Sequence, residues 1–162
     1  MESIMVEKIC QNATLCYLRN QGDILMMHRV KKEQDYHKGK WNALGGKFEP
    51  GEVPSECARR EIFEESGIQI DKLEFKGTIM FPNFDTKKDW LVFIYTAETT
   101  TRKFKESSEG ELKWIPQSEL LSLNLWEGDR IFIPWLNDKR YFEAKFSYVN
   151  KKLVDYKVDF YQ

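Results

Sequence analysis

The chain has 162 residues, of which 41% are hydrophobic and 31% are charged, and its formal net charge at pH 7 is −1. This length and composition predict one folded domain over residues 1–162, and they give no reason to expect disorder or charge-driven binding to nucleic acid or to a membrane surface. No apolar run reaches the ~18 residues that span a bilayer, and the acidic start MESIMVEKIC is unlike a signal peptide, so we expect a soluble, cytoplasmic protein.

The first half of the chain predicts a β-hairpin, a structured loop and one helix. Apolar runs at 13–18 and 24–28 flank the sequence RNQGD, a pattern that is typical of a hairpin. The following stretch WNALGGKFEPGE is rich in glycine and contains a proline, which favours a structured loop over a strand. Because Pro54 suits a first helical turn and Gly67 suits a left-handed cap, we expect a helix over roughly 54–66.

The second half predicts strands, an interrupted helical segment and a terminal hairpin. Residues 73–81, 89–98 and 110–115 have the composition of strands, and FPNFDTKKD forms the turn between the first two. The segment SELLSLNLWEGDRIFIPWLND is predicted to be partly helical, with interruptions at Gly128 and Pro134. The C-terminal segment alternates hydrophobic residues around VNKK, which indicates a hairpin. Strands mixed with two helices predict an α/β or α+β layered domain.

Three carboxylates lie near the end of the predicted helix, in the segment RREIFEESG. Glu61 and Glu65 are i,i+4 neighbours, and Glu64 lies beside them. Like charges at this spacing destabilise a helix by roughly 0.2–0.5 kcal/mol per pair, and the helix dipole adds to the cost. Arg60 can offset part of this repulsion by reaching Glu64. The pattern leaves two interpretations open, a solvated acidic face or a site for a divalent cation, because Mg²⁺ prefers carboxylate oxygens.

The residues upstream of this helix extend the pattern. Gly46 is followed after five residues by Glu52, and after seven more by the segment REIFEESGI. This spacing resembles the Nudix box, G-x5-E-x7-R-E-U-x-E-E-x-G-U with U aliphatic, at every fixed position. Seven fixed identities, each at about 7% usage, coincide by chance on the order of once in 10⁸ placements. The chain is therefore identified from its sequence as similar to the Nudix family.

The resemblance implies a fold, a reaction and a metal site. The fold is an α/β/α sandwich with a mixed central sheet and a C-terminal β-hairpin, and the reaction is hydrolysis of a nucleoside diphosphate linked to another group. The implied cofactor is Mg²⁺, with Mn²⁺ as an alternative. Its implied ligands are Glu61, Glu64 and Glu65, helped by the backbone carbonyl of Gly46. Diphosphate hydrolysis needs such ions to neutralise phosphate oxygens and to activate water.

Three further residues are implied to support this chemistry. Glu52 is expected to pair with Arg60 and to orient the acidic cluster, which is a kind of support that metal sites generally need. Glu109, in the segment ESSEGELKW, matches a position outside the box where a Glu often joins the metal site or serves as base. An acid in a Ser-Gly loop is ordinarily solvated, so both interpretations of Glu109 stay open.

Three segments outside the box resemble the MutT-type branch, which includes hydrolases of oxidised purine nucleoside triphosphates: KGKWNALGGK, ESSEGELKW, and LWEGDRIFIPW with the terminal hairpin. In those hydrolases an Asn and a Trp-Pro-Asp-Asp segment form the base pocket. Asn42, Trp126 and Asp129 match the Asn, the Trp and the second Asp, whereas Gly128 replaces the first Asp and Glu127 the Pro. An amide and a carboxyl can read a purine edge and an indole can stack on it. The missing carboxyl leaves selectivity for an oxidised base open.

Three more residues are candidates for substrate binding. Lys47 follows the glycines and could reach a phosphate, although an exposed loop lysine could also have no role. Phe81 and Trp90 match pocket positions by loose alignment, although aromatic residues of strands usually belong to the core. His28 and His37 have no spacing that indicates catalysis or zinc, and we predict that both are structural or exposed.

The sequence thus predicts a Mg²⁺-dependent enzyme that cleaves purine or oxidised purine nucleoside triphosphates to monophosphate and pyrophosphate, as in 8-oxo-dGTP sanitation. A second possibility is another Nudix substrate, such as RNA 5′ ends, dinucleoside polyphosphates or nucleotide sugars, although the near-neutral charge argues against long RNA. A third is a non-catalytic nucleotide sensor, which would typically lack box carboxylates that this chain retains. The expected partner is a small nucleotide, without nucleic acid or membrane, and the sequence does not indicate the oligomeric state.

Overall fold

A computed structural model of the protein describes residues 7–85 and 88–162. Within these ranges no helix is long and apolar enough to cross a membrane. The strands of the described chain are β1 (Ile9–Asn20), β2 (Asp23–His28), β3 (Trp41–Asn42), β4 (Leu44–Lys47), β5 (Leu73–Asp85), β6 (Lys88–Glu98), β7 (Glu111–Pro116), β8 (Tyr141–Val149) and β9 (Lys152–Tyr161). The helices are α1 (Pro54–Ser66) and α2 (Glu127–Phe132), with 3-10 helices at Gln117–Ser122 and Ile133–Asn137.

The strands of the described chain join into one mixed sheet. Its order is β3-β2-β1-β6-β5-β8-β9, and β4 pairs with β1 while β7 pairs with β2. Two pairings are parallel, β1 with β6 and β5 with β8, and the others are antiparallel. The predicted mixed central sheet and C-terminal hairpin are therefore confirmed.

The sheet separates two hydrophobic cores, because successive side chains of a strand point to opposite faces. In β1, Tyr17 belongs to one core and Leu18 to the other. The core around Leu18 is covered by α1 through Ile62, and the core around Tyr17 is covered by α2 through Phe132. Helices on both faces of the sheet make the predicted sandwich. Helix α1 carries the predicted metal ligands, and α2 on the other face carries Asp129, which was predicted for the base pocket.

Helix α1 has the predicted bounds. Pro54 occupies the first turn, and Gly67 ends the helix in the left-handed conformation, with φ of 78° and its N–H donating to the Phe63 carbonyl. Val53 has no polar side chain with which to cap the helix. The Glu56 carboxylate caps it instead, accepting a hydrogen bond from the Val53 N–H at 2.9 Å. These local signals determine where α1 begins and ends, and they place its three acids in the last two turns.

The first part of the glycine-rich segment is not the loop that the sequence predicted, because it forms β3 and β4, whereas residues 48–52 lie outside the strands and helices. Strand β4 pairs with β1, and Gly46 lies opposite Thr14. A Cβ atom at Gly45 would collide with the backbone carbonyl of Thr14, so glycine allows the two strands to approach closely. For residues 41–47 the prediction of a loop was wrong, because glycine by itself disfavours a strand and the sequence does not show that another backbone lies this near.

Two further boundaries differ from the prediction. Strand β5 continues through the predicted turn FPNFDTKKD as far as Asp85, which pairs with Lys88, and residues 86–87 of that turn lie outside the described residues. Gly128 lies inside α2 instead of interrupting it, and Pro134 lies in the first turn of the 3-10 helix Ile133–Asn137. The terminal hairpin is confirmed, with its inward face formed by four buried residues: Phe142, Ala144, Phe146 and Tyr148.

Candidate active site

The acids of α1 lie directly against the glycines of β4. The Glu65 carboxylate accepts a hydrogen bond from the Gly45 N–H at 2.9 Å. The Glu61 carboxylate is so close to Gly46 that a Cβ atom there would lie 2.6 Å from the Glu61 Cδ. The pairing of β4 with β1 therefore sets the glycine backbone beside the acids, and the absence of a side chain at Gly46 leaves room for the Glu61 carboxylate.

Arg60 connects the acids of the predicted box. Its Nε donates to Glu52 Oε2 at 2.7 Å, which is the contact expected from the sequence. Its Nη1 donates to Glu61 Oε1 at 2.8 Å and to Glu64 Oε2 at 3.3 Å. Its Nη2 donates to the backbone carbonyl of Lys47 at 2.9 Å. The hydrogen bond from Arg60 lowers the pKa of Glu52 to about 2, so this carboxylate is charged at neutral pH.

Burial disfavours the charged form of two acids of α1. Glu65 is only 5% exposed, and burial raises the pKa of its carboxyl to about 9, with the nearby charges of Glu109 and Glu61 adding to the effect. Burial is also the main cause that raises the pKa of Glu61. A bound cation would favour the ionised form of both groups, because an opposite charge nearby lowers the pKa of a carboxyl.

The acidic cluster offers oxygen atoms, which are suitable ligands for a divalent cation. Glu61, Glu65 and the carbonyl of Gly46 offer oxygens, which are the ligands that Mg²⁺ and Mn²⁺ prefer. In the described ranges no three acidic, histidine or cysteine side chains already converge on one metal position. Arg60 donates to Glu61 Oε1 and Glu64 Oε2, so each of these carboxylates keeps a second oxygen with which it could bind a cation.

Glu109 reaches the acidic cluster from the loop that precedes β7. Its side chain is partly exposed, and Oε1 lies 3.9 Å from Lys32 Nζ. It lines the same cavity as Glu61, and its negative charge contributes to the raised pKa of both Glu61 and Glu65. The structure therefore brings Glu109 near the box acids, and its role as ligand or base stays a prediction.

A cavity of about 510 Å³ adjoins the acids. Gly46, Glu61 and Glu109 form part of its lining, so the cavity and the acidic cluster make one site. The cavity also contains all the residues that the sequence predicted for substrate binding: Asn42, Lys47, Phe81, Trp90, Trp126 and Asp129. Their roles stay predictions, but the fold places them together from segments that are far apart in the chain.

One wall of the cavity consists of aromatic residues, of which the sequence analysis identified Trp126 but missed Tyr36 and Phe84. Tyr36 stacks on Trp126, with ring centroids 5.7 Å apart, and Phe84 packs edge-on against Trp126 at 5.0 Å. Trp126 Nε1 donates to His37 Nδ1 at 2.9 Å. Burial lowers the pKa of His37 to about 4, so the neutral ring accepts this hydrogen bond at pH 7. The adjacent rings of Tyr36 and His37, in the otherwise charged loop RVKKEQDYHKGK, were the sequence feature that could have indicated this wall.

Arg29 is a second residue that the sequence analysis missed. It lines the cavity just after β2, and its Nε and Nη2 donate to the Asp35 carboxylate at 2.8 and 3.2 Å. Its charge acts to lower the pKa of Glu65. Lys47 brings a second cation to the cavity, where its Nζ lies 5.5 Å from the centroid of Trp90. Two positive side chains beside the acids suit an anionic substrate.

Asp129 is a buried acid in the cavity wall. It is 8% exposed, and its carboxyl has no hydrogen-bond partner in the part of the chain that the structure describes. Burial raises the pKa of Asp129 from the ordinary 3.8 to about 7, while the charges of Lys40 and Arg130 act in the opposite direction. Near neutral pH this carboxyl can therefore either donate or accept a hydrogen bond to a ligand.

Replacing Asp129 by Asn is expected to stabilise the fold in a pH-dependent way. Because the folded protein binds the Asp129 proton more tightly than the unfolded chain does, the contribution of this acid to stability falls as pH rises from about 4 to 7. The free energy of unfolding of Asp129→Asn should exceed that of the wild type by roughly 2–4 kcal/mol at pH 8.5. Urea unfolding from pH 5.5 to 8.5 measures the difference, which should narrow toward pH 5.5.

Asp155→Asn, at an exposed position of β9, is the matched control and should change the free energy of unfolding by less than about 0.5 kcal/mol. A difference for Asp129→Asn that is flat over the same range would contradict the buried, protonated state of Asp129.

Comparisons with known proteins point to one family. A model of the NUDIX domain matches residues 10–136. The oxidized purine nucleoside triphosphate hydrolase of Danio rerio is 30% identical over 129 residues, covering 79% of this chain and 83% of that protein. An uncharacterized Nudix hydrolase of Bacillus subtilis is 28% identical over 155 residues, covering 92% and 94%. The crystal structure of a MutT protein from Bacillus halodurans superposes with a TM-score of 0.79 at 32% identity, covering 92% of this chain and 97% of that one.

Proposed function

We propose, from the premise that this chain belongs to the Nudix family of hydrolases, that it is a Mg²⁺-dependent nucleoside triphosphate pyrophosphohydrolase for purine and oxidised purine nucleotides. One observation carries the proposal: a single cavity joins the acidic cluster to an aromatic wall that bears an amide and a carboxyl. The relatives named for oxidised purine nucleoside triphosphates, at about 30% identity, support the same substrate class.

The acidic end of the cavity is assigned to the phosphate chain. Nudix hydrolases generally use divalent metal ions. When bound, such an ion neutralises phosphate oxygens and lowers the pKa of the attacking water. Glu61, Glu64 and Glu65 would hold it, with the carbonyl of Gly46. Glu109, close enough to influence the box acids and partly exposed to water, is the candidate that accepts a proton from water.

The positive side chains beside the acids are assigned to the phosphates. Arg29 presents a planar fork of donors that can bind phosphate oxygens in pairs, although Asp35 engages part of it in the free protein. Lys47 lies next to Gly46 and supplies a point charge. Both residues would hold the phosphate chain in line with the acids, so that the reacting phosphorus and the water are positioned together.

The aromatic wall is assigned to the base. A purine ring stacked on the wall formed by Tyr36, Phe84 and Trp126 would gain about 1–3 kcal/mol per stacked base. Asn42 presents both a donor and an acceptor, and Asp129 can act as either near neutral pH, so together they can read a purine edge. These groups bind the base at one end of the cavity while hydrolysis takes place at the other.

A substrate panel tests the proposal. Initial rates would be measured with common and oxidised dNTPs and NTPs, the corresponding diphosphates, dinucleoside polyphosphates and 5′-triphosphorylated RNA, each with Mg²⁺ and with Mn²⁺. We expect kcat/KM for oxidised purine dNTPs to exceed that for common dNTPs by at least tenfold, which corresponds to about 1.4 kcal/mol. A flat profile, or preference for RNA ends or dinucleotides, would contradict the proposed substrate.

A further inference from the structure

The backbone of α2 leaves no room for a side chain at position 128, where the MutT-type segment has its first Asp. A Cβ atom at Gly128 would lie 2.7 Å from Tyr148 Oη and 2.8 Å from Phe146 Cδ1. Phe146 is fully buried, and Tyr148 is held in the aromatic wall, so neither ring can move aside freely. The Tyr148 hydroxyl therefore lies beside the position from which a carboxyl would otherwise project.

Tyr148 has a hydrogen-bonding position that the protein leaves unused. Its Oη accepts a hydrogen bond from the Gly128 N–H at 2.7 Å. A tyrosine hydroxyl also carries one hydrogen to donate, and in the described parts of the chain no atom accepts it. Burial, with the charge of Asp129 adding to it, raises the pKa of Tyr148, so the hydroxyl stays protonated at neutral pH. The free position is thus a donor.

The ring of Tyr148 is fixed where that donor can serve a ligand. Tyr148 is only 9% exposed and lines the cavity. Phe84 and Trp126 pack edge-on against its ring, with centroids 5.3 and 5.7 Å away. The same two residues belong to the wall assigned above to base stacking. A base stacked there would meet a tyrosine hydroxyl whose direction is set by packing and by the bond from Gly128.

We propose that Tyr148 determines base specificity, donating a hydrogen bond from its hydroxyl to an acceptor atom of the nucleotide base in place of the carboxyl that Gly128 excludes. The inference rests on the proposed function and deepens it. An ionised carboxylate can only accept a hydrogen bond from the base, whereas this hydroxyl donates one. The protein therefore selects an acceptor atom of the base here instead of a donor. Guanine-type bases carry the acceptor O6, whereas adenine-type bases carry an amino donor there, so the site should prefer guanine-type bases.

Tyr148→Phe tests the inference because it removes one oxygen and keeps the ring. Calorimetry in EDTA would compare the binding of dGMP, 8-oxo-dGMP and 2-aminopurine deoxyribonucleoside monophosphate, which lacks O6. We expect the variant to bind the two guanine-type nucleotides about 5- to 100-fold more weakly and the 2-aminopurine nucleotide less than about twofold more weakly. Tyr156→Phe, the same change on the exposed strand β9, should alter none of these affinities.

The outcomes separate this inference from the proposed function. Equal weakening for all three nucleotides would show that Tyr148 only supports the fold, and no weakening would also overturn the inference. If Tyr148→Phe does not fold, the wild type decides: dGMP should bind at least about fivefold more tightly than the 2-aminopurine nucleotide, and equal affinities would overturn the inference. Failure of the enzyme to hydrolyse any triphosphate would refute the proposed function, while these affinities would still decide the role of Tyr148.

Discussion

Glu65→Gln is expected to lower kcat by about 10²–10⁴ while the protein stays folded and becomes no less stable. The amide oxygen of Gln can still accept the hydrogen bond that the Gly45 N–H now donates to Glu65. The substitution also removes a buried carboxyl whose raised pKa, about 9, shows that burial disfavours its charge. Loss of activity without loss of stability indicates a residue that serves the chemistry. Substitution of a purely structural residue would lower both the activity and the stability of the protein.

The same experiment includes Glu64→Gln, for which we expect a similar loss of kcat. Glu56→Gln is the matched control on the same helix, because its side chain caps the helix start and an amide oxygen can replace that acceptor. Rates would be measured at saturating Mg²⁺, together with urea unfolding of each variant. Near-wild-type rates for both Glu64→Gln and Glu65→Gln would contradict the assignment of these acids to the metal site.

Arg60→Ala is expected to weaken both the fold and the activity. The substitution leaves Glu52 and Glu61, whose side chains are 14% and 15% exposed, without their shared cation. Because these acids are partly hydrated, we expect the free energy of unfolding to fall by about 1–3 kcal/mol. The acids would also lose the contact that orients them, and kcat/KM should fall about 10- to 100-fold.

The neighbouring Arg59→Ala is the matched control for Arg60. Among the described residues, Arg59 donates to the backbone carbonyls of Ile70 and Asp71 and to no acid of the box, so its loss should leave kcat/KM within about twofold of the wild type. Urea unfolding and initial rates on the same substrate measure both variants. An Arg60→Ala enzyme as active as Arg59→Ala would refute the view that Arg60 orients the acidic cluster.

The parts of the fold that local signals determine were predictable from the sequence. Helix α1 has the bounds that Pro54 and Gly67 indicate, because a proline start and a glycine cap act within one turn of the chain. The contact between Arg60 and Glu52 was likewise predictable, since the box spacing spans a single loop and helix. The spacing alone therefore predicted that the acids and their arginine lie together, and the role of the acids stays a prediction.

The parts that depend on distant contacts were not predictable. Strand β4 exists because its glycines lie against β1, which is more than 25 residues away in sequence, and glycine by itself disfavours a strand. The hydrogen bond between His37 and Trp126 joins residues 89 positions apart, so local spacing gave no indication of it. Tyr148 belongs to the predicted terminal hairpin, and its contacts with Gly128, Phe84 and Trp126 join segments that are distant in sequence.

Product analysis with one substrate tests the central claim most directly. The enzyme would be incubated with 8-oxo-dGTP and Mg²⁺, and the nucleotide and phosphate products would be separated by ion-exchange chromatography. The assignment of the acidic cluster to a pyrophosphohydrolase predicts 8-oxo-dGMP and pyrophosphate in equal amounts from the earliest time points. Formation of 8-oxo-dGDP and orthophosphate, or no product at saturating Mg²⁺, would contradict it.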